Sequence, residues 1–186
     1  AAALGYAQEK NIPFDLGLIR NHYVGRTFIE PSQKIRSLGV KLKLNANKSV
    51  IKNKKIILID DSLVRGTTCH KIVKMLYDAG SKEVHVRIAC PEIRYPDFYG
   101  VDMPTKTELL ASKKNLEEMC KYINAKTLKF LSLNGLYKAL CKEKRNESYP
   151  QFSDHYFTGN YPIEPSDRLA EGKIAQLSLL SGKSTN

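Results

Sequence analysis

Residues 56–80, IILIDDSLVRGTTCHKIVKMLYDAG, leave this chain few folds to choose from. Four apolar residues, Ile56 to Ile59, run straight into two adjacent carboxylates, Asp60 and Asp61. A short loop with hydroxyls and a glycine follows, and it opens a segment at 68–79 whose apolar residues recur at helical spacing up to Gly80. A short unbroken apolar run reads as a buried strand, and a strand leading directly into an amphipathic helix forms half of a crossover unit. The second strand is supplied by EVHVRIA at 83–89. Strand, helix and strand at this spacing make a βαβ unit.

The alternation continues on both sides. Residues 1–11 read as helix, 13–19 (PFDLGLI) as strand, ELLASKKNLEEMCKYI at 108–123 as one helix, TLKFLSL at 127–133 as strand and LNGLYKALCKEK at 133–144 as helix. The expected fold is α/β, a mostly parallel twisted sheet flanked by helices on both faces. A chain of 186 residues suits one such domain, placed at 1–144, with 145–186 as a C-terminal segment packing on it and a frayed SGKSTN end. Residues 20–47 break the pattern: they hold Gly25, Pro31 and Gly39 and show no sustained period. A connection this long inside a domain is usually functional or disordered, and its position and charge suggest a lid.

Charge sharpens that suggestion. The net charge is +11, and between residues 31 and 59 there is no Asp or Glu, while Lys34, Arg36, Lys41, Lys43, Lys48, Lys52, Lys54 and Lys55 all fall there. Such a block is a solvated basic loop, a nucleic-acid contact or a cover for a small polyanion. No apolar run reaches the roughly 20 residues of a membrane helix, and AAALGYAQEKN lacks the regions of a signal peptide, so a cytoplasmic setting is expected. Cys69, Cys90, Cys120 and Cys141 form no C-x-x-C pair, and His22, His70, His85 and His155 are scattered. Neither a zinc site nor a redox motif is indicated.

The central motif has a physical reading of its own. In an open α/β sheet, ligands sit beyond the carboxyl ends of the strands, where Asp60 and Asp61 emerge. One acid there serves as a helix cap, but the side chains of neighbouring residues diverge and two cannot cap the same helix. Ser62, Thr67 and Thr68 offer hydroxyls beside a run of backbone N–H groups at a helix start, and Gly66 permits a tight turn. That is an anion cradle suited to a phosphate monoester. Carboxylates beside it would repel the phosphate, so they are expected to face hydroxyls or a hard cation, as a ribose diol with Mg2+ nearby would supply.

The same residues carry a resemblance. IILIDDSLVRGTT resembles the phosphoribosyl pyrophosphate (PRPP) signature of type I phosphoribosyltransferases, and its SLVRGTT ending is the variant of the glutamine PRPP amidotransferases. YVGRTFI at 23–29, KLKLNAN at 41–47, PEIRYPDFYGVDMP at 91–104 and YFTGNYP at 156–162 are similar to that narrower family as well. The resemblance implies displacement of pyrophosphate from C1 of PRPP by ammonia drawn from glutamine, giving 5-phosphoribosylamine, the first committed step of purine synthesis. It implies that Asp60 and Asp61 serve Mg2+ and the ribose hydroxyls, and that Ser62, Val64, Arg65, Gly66, Thr67 and Thr68 hold the 5-phosphate. Leu63 and Val64 are expected to pack, so Val64 would contribute its backbone. The 20–47 segment would close over PRPP, with Tyr23, Arg26 and Lys43 near the pyrophosphate or the ammonia path.

Three departures qualify what the resemblance implies. The family's glutaminase domain, which releases ammonia, and a short pyrophosphate-binding turn expected just upstream of AAALGYA are not in this sequence, so an incomplete synthase domain is expected. Some relatives carry a [4Fe-4S] cluster on cysteines, but Asp97 and the run Ser153, Asp154, His155 and Tyr156 stand at the corresponding places here, so no cluster is expected. Purine nucleotide inhibitors and a homo-oligomer are further expectations, with neither nucleic acid nor membrane as a partner. Another PRPP-dependent phosphoribosyltransferase and a PRPP-sensing regulator of the same fold stay open. Asp78 and Gly80 read as helix-end residues, Asp102 and Glu108 as helix-entry acids, and Tyr95 and Tyr99 as a packed turn or a contact for substrate or partner.

Overall fold

The structure is a computed structural model that describes residues 1–21, 44–101, 105–140, 144–148 and 150–163. Along the chain run helix α1 (Ala2–Lys10), strands β1 (Leu18–Arg20) and β2 (Leu44–Ala46), helix α2 (Lys48–Ile51), strand β3 (Lys55–Asp60) and helix α3 (Thr67–Asp78). Strand β4 (Glu83–Ile88), a 3-10 turn at Lys106–Glu108, helices α4 (Leu110–Lys113) and α5 (Leu116–Tyr122), strand β5 (Thr127–Phe130), and helices α6 (Leu133–Ala139) and α7 (His155–Thr158) follow. No helix among the described residues is long and apolar enough to cross a membrane.

The βαβ expectation holds. Strands β3, β4 and β5 form a parallel sheet in that order, with Asp60 opposite Ile88 and Ile88 opposite Phe130, so all three strands end along one edge. Helix α3 buries Cys69, Ile72, Val73 and Leu76, the i, i+3, i+4, i+7 stripe of an amphipathic helix. That stripe belongs to one core with Val84, Val86 and Ile88 of β4, Leu128 of β5, and Leu110, Ala111, Met119 and Ile123 from the helices that follow. Each buried Val, Leu, Ile or Met among them contributes about 1.5–3 kcal/mol through burial. Gly80, at φ +93°, ends the helix in the left-handed conformation and donates its N–H to Tyr77 O, while Asp78 pairs with Lys74 at 3.2 Å. Both act as the helix-end residues they were read as.

Two expectations change. The single helix at 108–123 is broken: Lys114 is extended (φ −127°, ψ 141°), and Asn115 begins a new helix through a capping box with Glu118, its Oδ1 accepting from Glu118 N at 2.9 Å and its own N–H donating to Glu118 Oε2 at 2.9 Å. Two paired helix-end groups outweigh the continuous apolar pattern. The strand expected at 13–19 begins only at Leu18, where antiparallel pairing to β2 starts with Leu18 opposite Ala46. Asp15 turns its carboxylate back onto Leu16 N at 2.8 Å, a local contact that competes with a ladder.

The segment after residue 144 contains charge where the sequence shows no apolar period. Asp154 is 3% exposed and is held by Arg145 (Nε to Oδ2 2.6 Å, Nη2 to Oδ1 3.2 Å) and by the hydroxyl of Tyr137 in α6 at 2.8 Å. His155, 1% exposed, contacts Asp97 Oδ1 through Nε2 at 2.8 Å and Ser153 Oγ through Nδ1 at 2.9 Å. The other oxygen of Asp97 accepts the backbone N–H groups of Tyr99 (2.9 Å) and Val101 (2.7 Å). Tyr99, whose hydroxyl contacts the backbone of Ile163, packs edge-on against His155 while its side chain stays partly exposed.

Candidate active site

Strand β3 delivers Asp60 to the carboxyl edge of the sheet, half-buried, and Asp61 just beyond it, exposed. Asp60 Oδ1 accepts the Asp61 N–H at 3.0 Å, and Asp61 Oδ1 accepts from Ser62 Oγ at 3.0 Å. Burial pushes the Asp60 carboxyl above the ordinary carboxylate range; the Asp61 N–H opposes that rise and the Asp61 charge adds to it. Among the described residues no Lys or Arg forms an ion pair with either acid. Two adjacent, uncompensated oxygen donors, one of them raised in pKa by burial, suit a hard divalent cation. Among the described residues no group of three or more His, Cys, Asp or Glu side chains is arranged to hold a metal. The two carboxylates would therefore supply only part of a coordination shell, leaving the rest to substrate oxygens and water, as Mg2+ usually requires.

The loop turns on Gly66. At φ +75° it is the N-cap of α3, and the helix begins without a side-chain cap. A Cβ at Gly66 would lie 2.7 Å from Leu110 Cδ2 and 2.9 Å from Tyr122 Cε1, so both conformation and space require glycine. The first N–H groups of α3 have no intrahelical acceptor, and Thr67 and the exposed Thr68 bring their hydroxyls to the same helix start. Leu63 is buried, as expected, and Val64 is half-buried with its carbonyl accepting from Leu110 N at 2.9 Å.

Arg65 has a partner that sequence reasoning missed. Its Nε lies 3.2 Å from Glu108 Oε1 and its Nη2 3.3 Å from Oε2, a two-point pairing across 43 residues of chain. Glu108 stands in the first turn of the Lys106–Glu108 3-10 element, in keeping with its reading as a helix-entry acid, and its side chain also reaches Arg65. Tyr122 was missed too: its ring lies beside Gly66, and its carbonyl is 2.9 Å from His70 Nδ1 on α3. Only the three-dimensional neighbourhood reveals these contacts.

Two thiols border the acids. Cys69 lies in the core with its pKa pushed up to about 12 by burial and then by the Asp60 charge. Cys90 is raised to about 11 by burial and by Asp61 and Asp60. Both stay protonated at neutral pH and are poor nucleophiles.

The structure thus gathers Asp60, Asp61, Ser62, Val64, Arg65, Gly66, Thr67 and Thr68 into one strand-loop-helix turn. Tyr23, Arg26 and Lys43, with nearly all of the suggested lid, lie outside the described residues. At the places compared with the iron–sulfur ligands, Asp97 and His155 are hydrogen-bonded to each other inside the protein, a donor set that does not fit a cluster normally held by thiolates.

Comparison with known proteins follows the same lines. No protein-family model matches the chain. It is 57% identical to an amidophosphoribosyltransferase from Rhizobium etli over 181 residues, covering 97% of this chain and 36% of that protein. The Bacillus subtilis amidophosphoribosyltransferase is 49% identical over 164 residues, covering 88% of this chain and 34% of the relative. Among solved structures, the B. subtilis glutamine PRPP amidotransferase complexed with ADP and GMP superposes with a TM-score of 0.75 at 48% identity, covering 88% of this chain and 36% of that one. The chain spans about a third of the length of these relatives.

Proposed function

Because the chain belongs to the amidophosphoribosyltransferase family, about a third of whose length it spans, we propose that it carries the synthase chemistry: ammonia displaces pyrophosphate from C1 of PRPP and 5-phosphoribosylamine forms. The observation that carries this reading is the Asp60–Thr68 turn, where two carboxylates that pair with no Lys or Arg among the described residues stand directly beside a glycine-cornered helix start. In the reaction the bond from C1 to the pyrophosphate oxygen breaks, a C–N bond forms, and the incoming ammonia gives up a proton. Positive charge grows on the sugar ring and negative charge on the leaving group, so the protein's work is mainly electrostatic.

The roles divide by chemistry. The N–H groups at the start of α3 and the hydroxyls of Ser62, Thr67 and Thr68 bind the 5-phosphate, as helix starts do for phosphate groups. Asp60 and Asp61 orient the ribose diol and would hold Mg2+, which when bound would supply positive charge to offset the departing pyrophosphate. Tyr23, Arg26 and Lys43 belong to this proposal on the pyrophosphate side, where the positive charge of Arg26 and Lys43 would offset the leaving group and exclusion of water would favour ammonia as the nucleophile. A purine 5'-nucleotide shares the ribose 5-phosphate portion of PRPP, so it competes for the same cradle; the nucleotides in the B. subtilis structure are in keeping with that.

Calorimetry of PRPP binding with and without Mg2+ tests the site. Replacing Asp60→Asn and Asp61→Asn together is expected to abolish the Mg2+-dependent part of the affinity, a loss of about 1.5–3 kcal/mol for each charge-assisted contact removed. Equal Mg2+-dependent affinity in wild type and double variant would refute the assignment.

A further inference from the structure

The phosphate loop is braced from behind by one stretch of chain. Arg65 is paired at two points with Glu108, the Val64 carbonyl accepts from Leu110 N, and Gly66 faces the side chains of Leu110 and Tyr122. The last two contacts fix the loop backbone. The first fixes a side chain, and it does so near the surface, with Arg65 and Glu108 side chains 52% and 48% exposed. An ion pair that exposed adds little to folding stability. What it determines is where a guanidinium points.

We propose that Glu108 is a positioning residue for phosphate binding, holding Arg65 so that its unused N–H groups are presented to the 5-phosphate; this rests on the reading of the loop given above. A guanidinium has five N–H donors in a rigid plane. Glu108 engages the Nε–H and one N–H of Nη2, which leaves both N–H groups of Nη1 and the second of Nη2 for a ligand. Without Glu108 the long side chain samples many rotamers and must be ordered anew each time an anion binds, at an entropic cost. With Glu108 that ordering is done in advance. The carboxylate also offsets the arginine charge, so the proposal requires that the gain from orientation exceed the loss of net attraction.

Titration of ribose 5-phosphate into the 15N-labelled chain, followed by the amide signals of residues 62–68 and the Arg65 Nε–H signal, tests this. Glu108→Ala should weaken binding about five- to tenfold, within the range of one ordinary hydrogen bond, and should broaden or shift the Arg65 Nε–H signal in the free protein. Glu108→Gln keeps an acceptor for Nε–H and should recover most of the affinity. In an Arg65→Ala background, Glu108→Ala should change nothing, whereas a merely structural role would still weaken binding there. Tighter binding by Glu108→Ala would identify the carboxylate as a competitor of the phosphate and overturn the proposal, as would unchanged affinity or an effect that persists without Arg65. If wild-type loop amides do not respond to ribose 5-phosphate at all, the phosphate assignment itself fails along with this inference; if they respond and the Glu108 variants behave as wild type, only the inference fails.

Discussion

Replacing Gly66 by alanine separates the two demands the phosphate loop makes on that residue. The first is conformational: at φ +75° a residue with a Cβ costs about 1–2 kcal/mol more than glycine. The second is steric, because the new Cβ would meet Leu110 Cδ2 at 2.7 Å and Tyr122 Cε1 at 2.9 Å. Tyr122 is 39% exposed and can swing outward, but Leu110 is only 7% exposed and locked into the core, so most of the overlap must be relieved by shifting the loop or the Leu110 side chain. Forcing extra volume against a packed side chain costs about 1–3 kcal/mol. Together the two effects predict a loss of about 2–5 kcal/mol, which in a chain of this size lowers Tm by roughly 5–20 °C. Urea and thermal unfolding followed by circular dichroism measure it. Gly5→Ala is the control: Gly5 lies within α1 and has no atom within 4 Å of the added Cβ, so the substitution should be neutral or stabilise by up to about 1 kcal/mol. Adding Tyr122→Ala to Gly66→Ala should relieve only the ring contact and leave the conformational loss. Wild-type stability in Gly66→Ala, or equal effects at Gly5 and Gly66, would show that the loop does not hold the conformation on which the cradle depends.

Two further predictions concern one half-buried and one buried carboxylate and have opposite signs. Burial, with the neighbouring charge of Asp61, raises the Asp60 pKa, so its contribution to stability is full below the ordinary carboxylate pKa of about 3.9 and is lost as pH rises through its elevated folded value; Asp60→Asn should therefore raise the neutral-pH Tm of the unliganded chain, and a lower or unchanged Tm would contradict the burial argument. Burial also pushes Asp97 upward, but the N–H groups of Val101 and Tyr99 and the side chains of His155 and Tyr156 outweigh it and leave its pKa lowered. Its contribution is present above about pH 3.9 and is lost as pH falls through the depressed value, so Asp97→Asn should reduce urea midpoints at neutral pH and flatten the acid limb of their pH dependence; an acid limb as steep as that of wild type would show that other carboxylates set it.

What the sequence made readable were features whose cause is local. The strand from Lys55 to Asp60 and the helix from Thr67 follow from adjacent residues with two clear periods, and Asp60, Asp61 and Gly66 stand out because their chemistry conflicts with ordinary packing. The break at Asn115 was also legible in principle, since Asn-x-x-Glu is a helix-start signal, but the apolar residues on either side continue the helical period and masked it. Nothing local marks the Arg65–Glu108 pair, whose members are 43 residues apart and each plausible alone as a surface charge. The buried Arg145, Asp154, His155 and Asp97 failed for the same reason: a charged residue is placed inside only by a partner that the tertiary fold brings to it.

Under the proposed assignment, the distribution of charge around the loop bears on how PRPP's two anionic ends would be told apart. At the 5-phosphate end the described residues provide one guanidinium, already offset by Glu108, and two carboxylates close by, so no surplus of positive charge gathers there. Attraction at that end must come chiefly from oriented backbone dipoles at the start of α3 and from hydroxyls, which favour a phosphate that fits the turn and act only at short range. Among the described members of the cationic 31–59 block, Lys52, Lys54 and Lys55 lie at the start of β3, the end away from Asp60, where Lys55 pairs with Glu83 at 3.0 Å, so they add no charge at the loop. A pyrophosphate carries more charge than a monoester and is the group that must leave. Short-range dipoles and hydroxyls at the start of α3 would therefore orient PRPP by fit at the end that stays, leaving the charge of the departing pyrophosphate to the Mg2+ that Asp60 and Asp61 would hold.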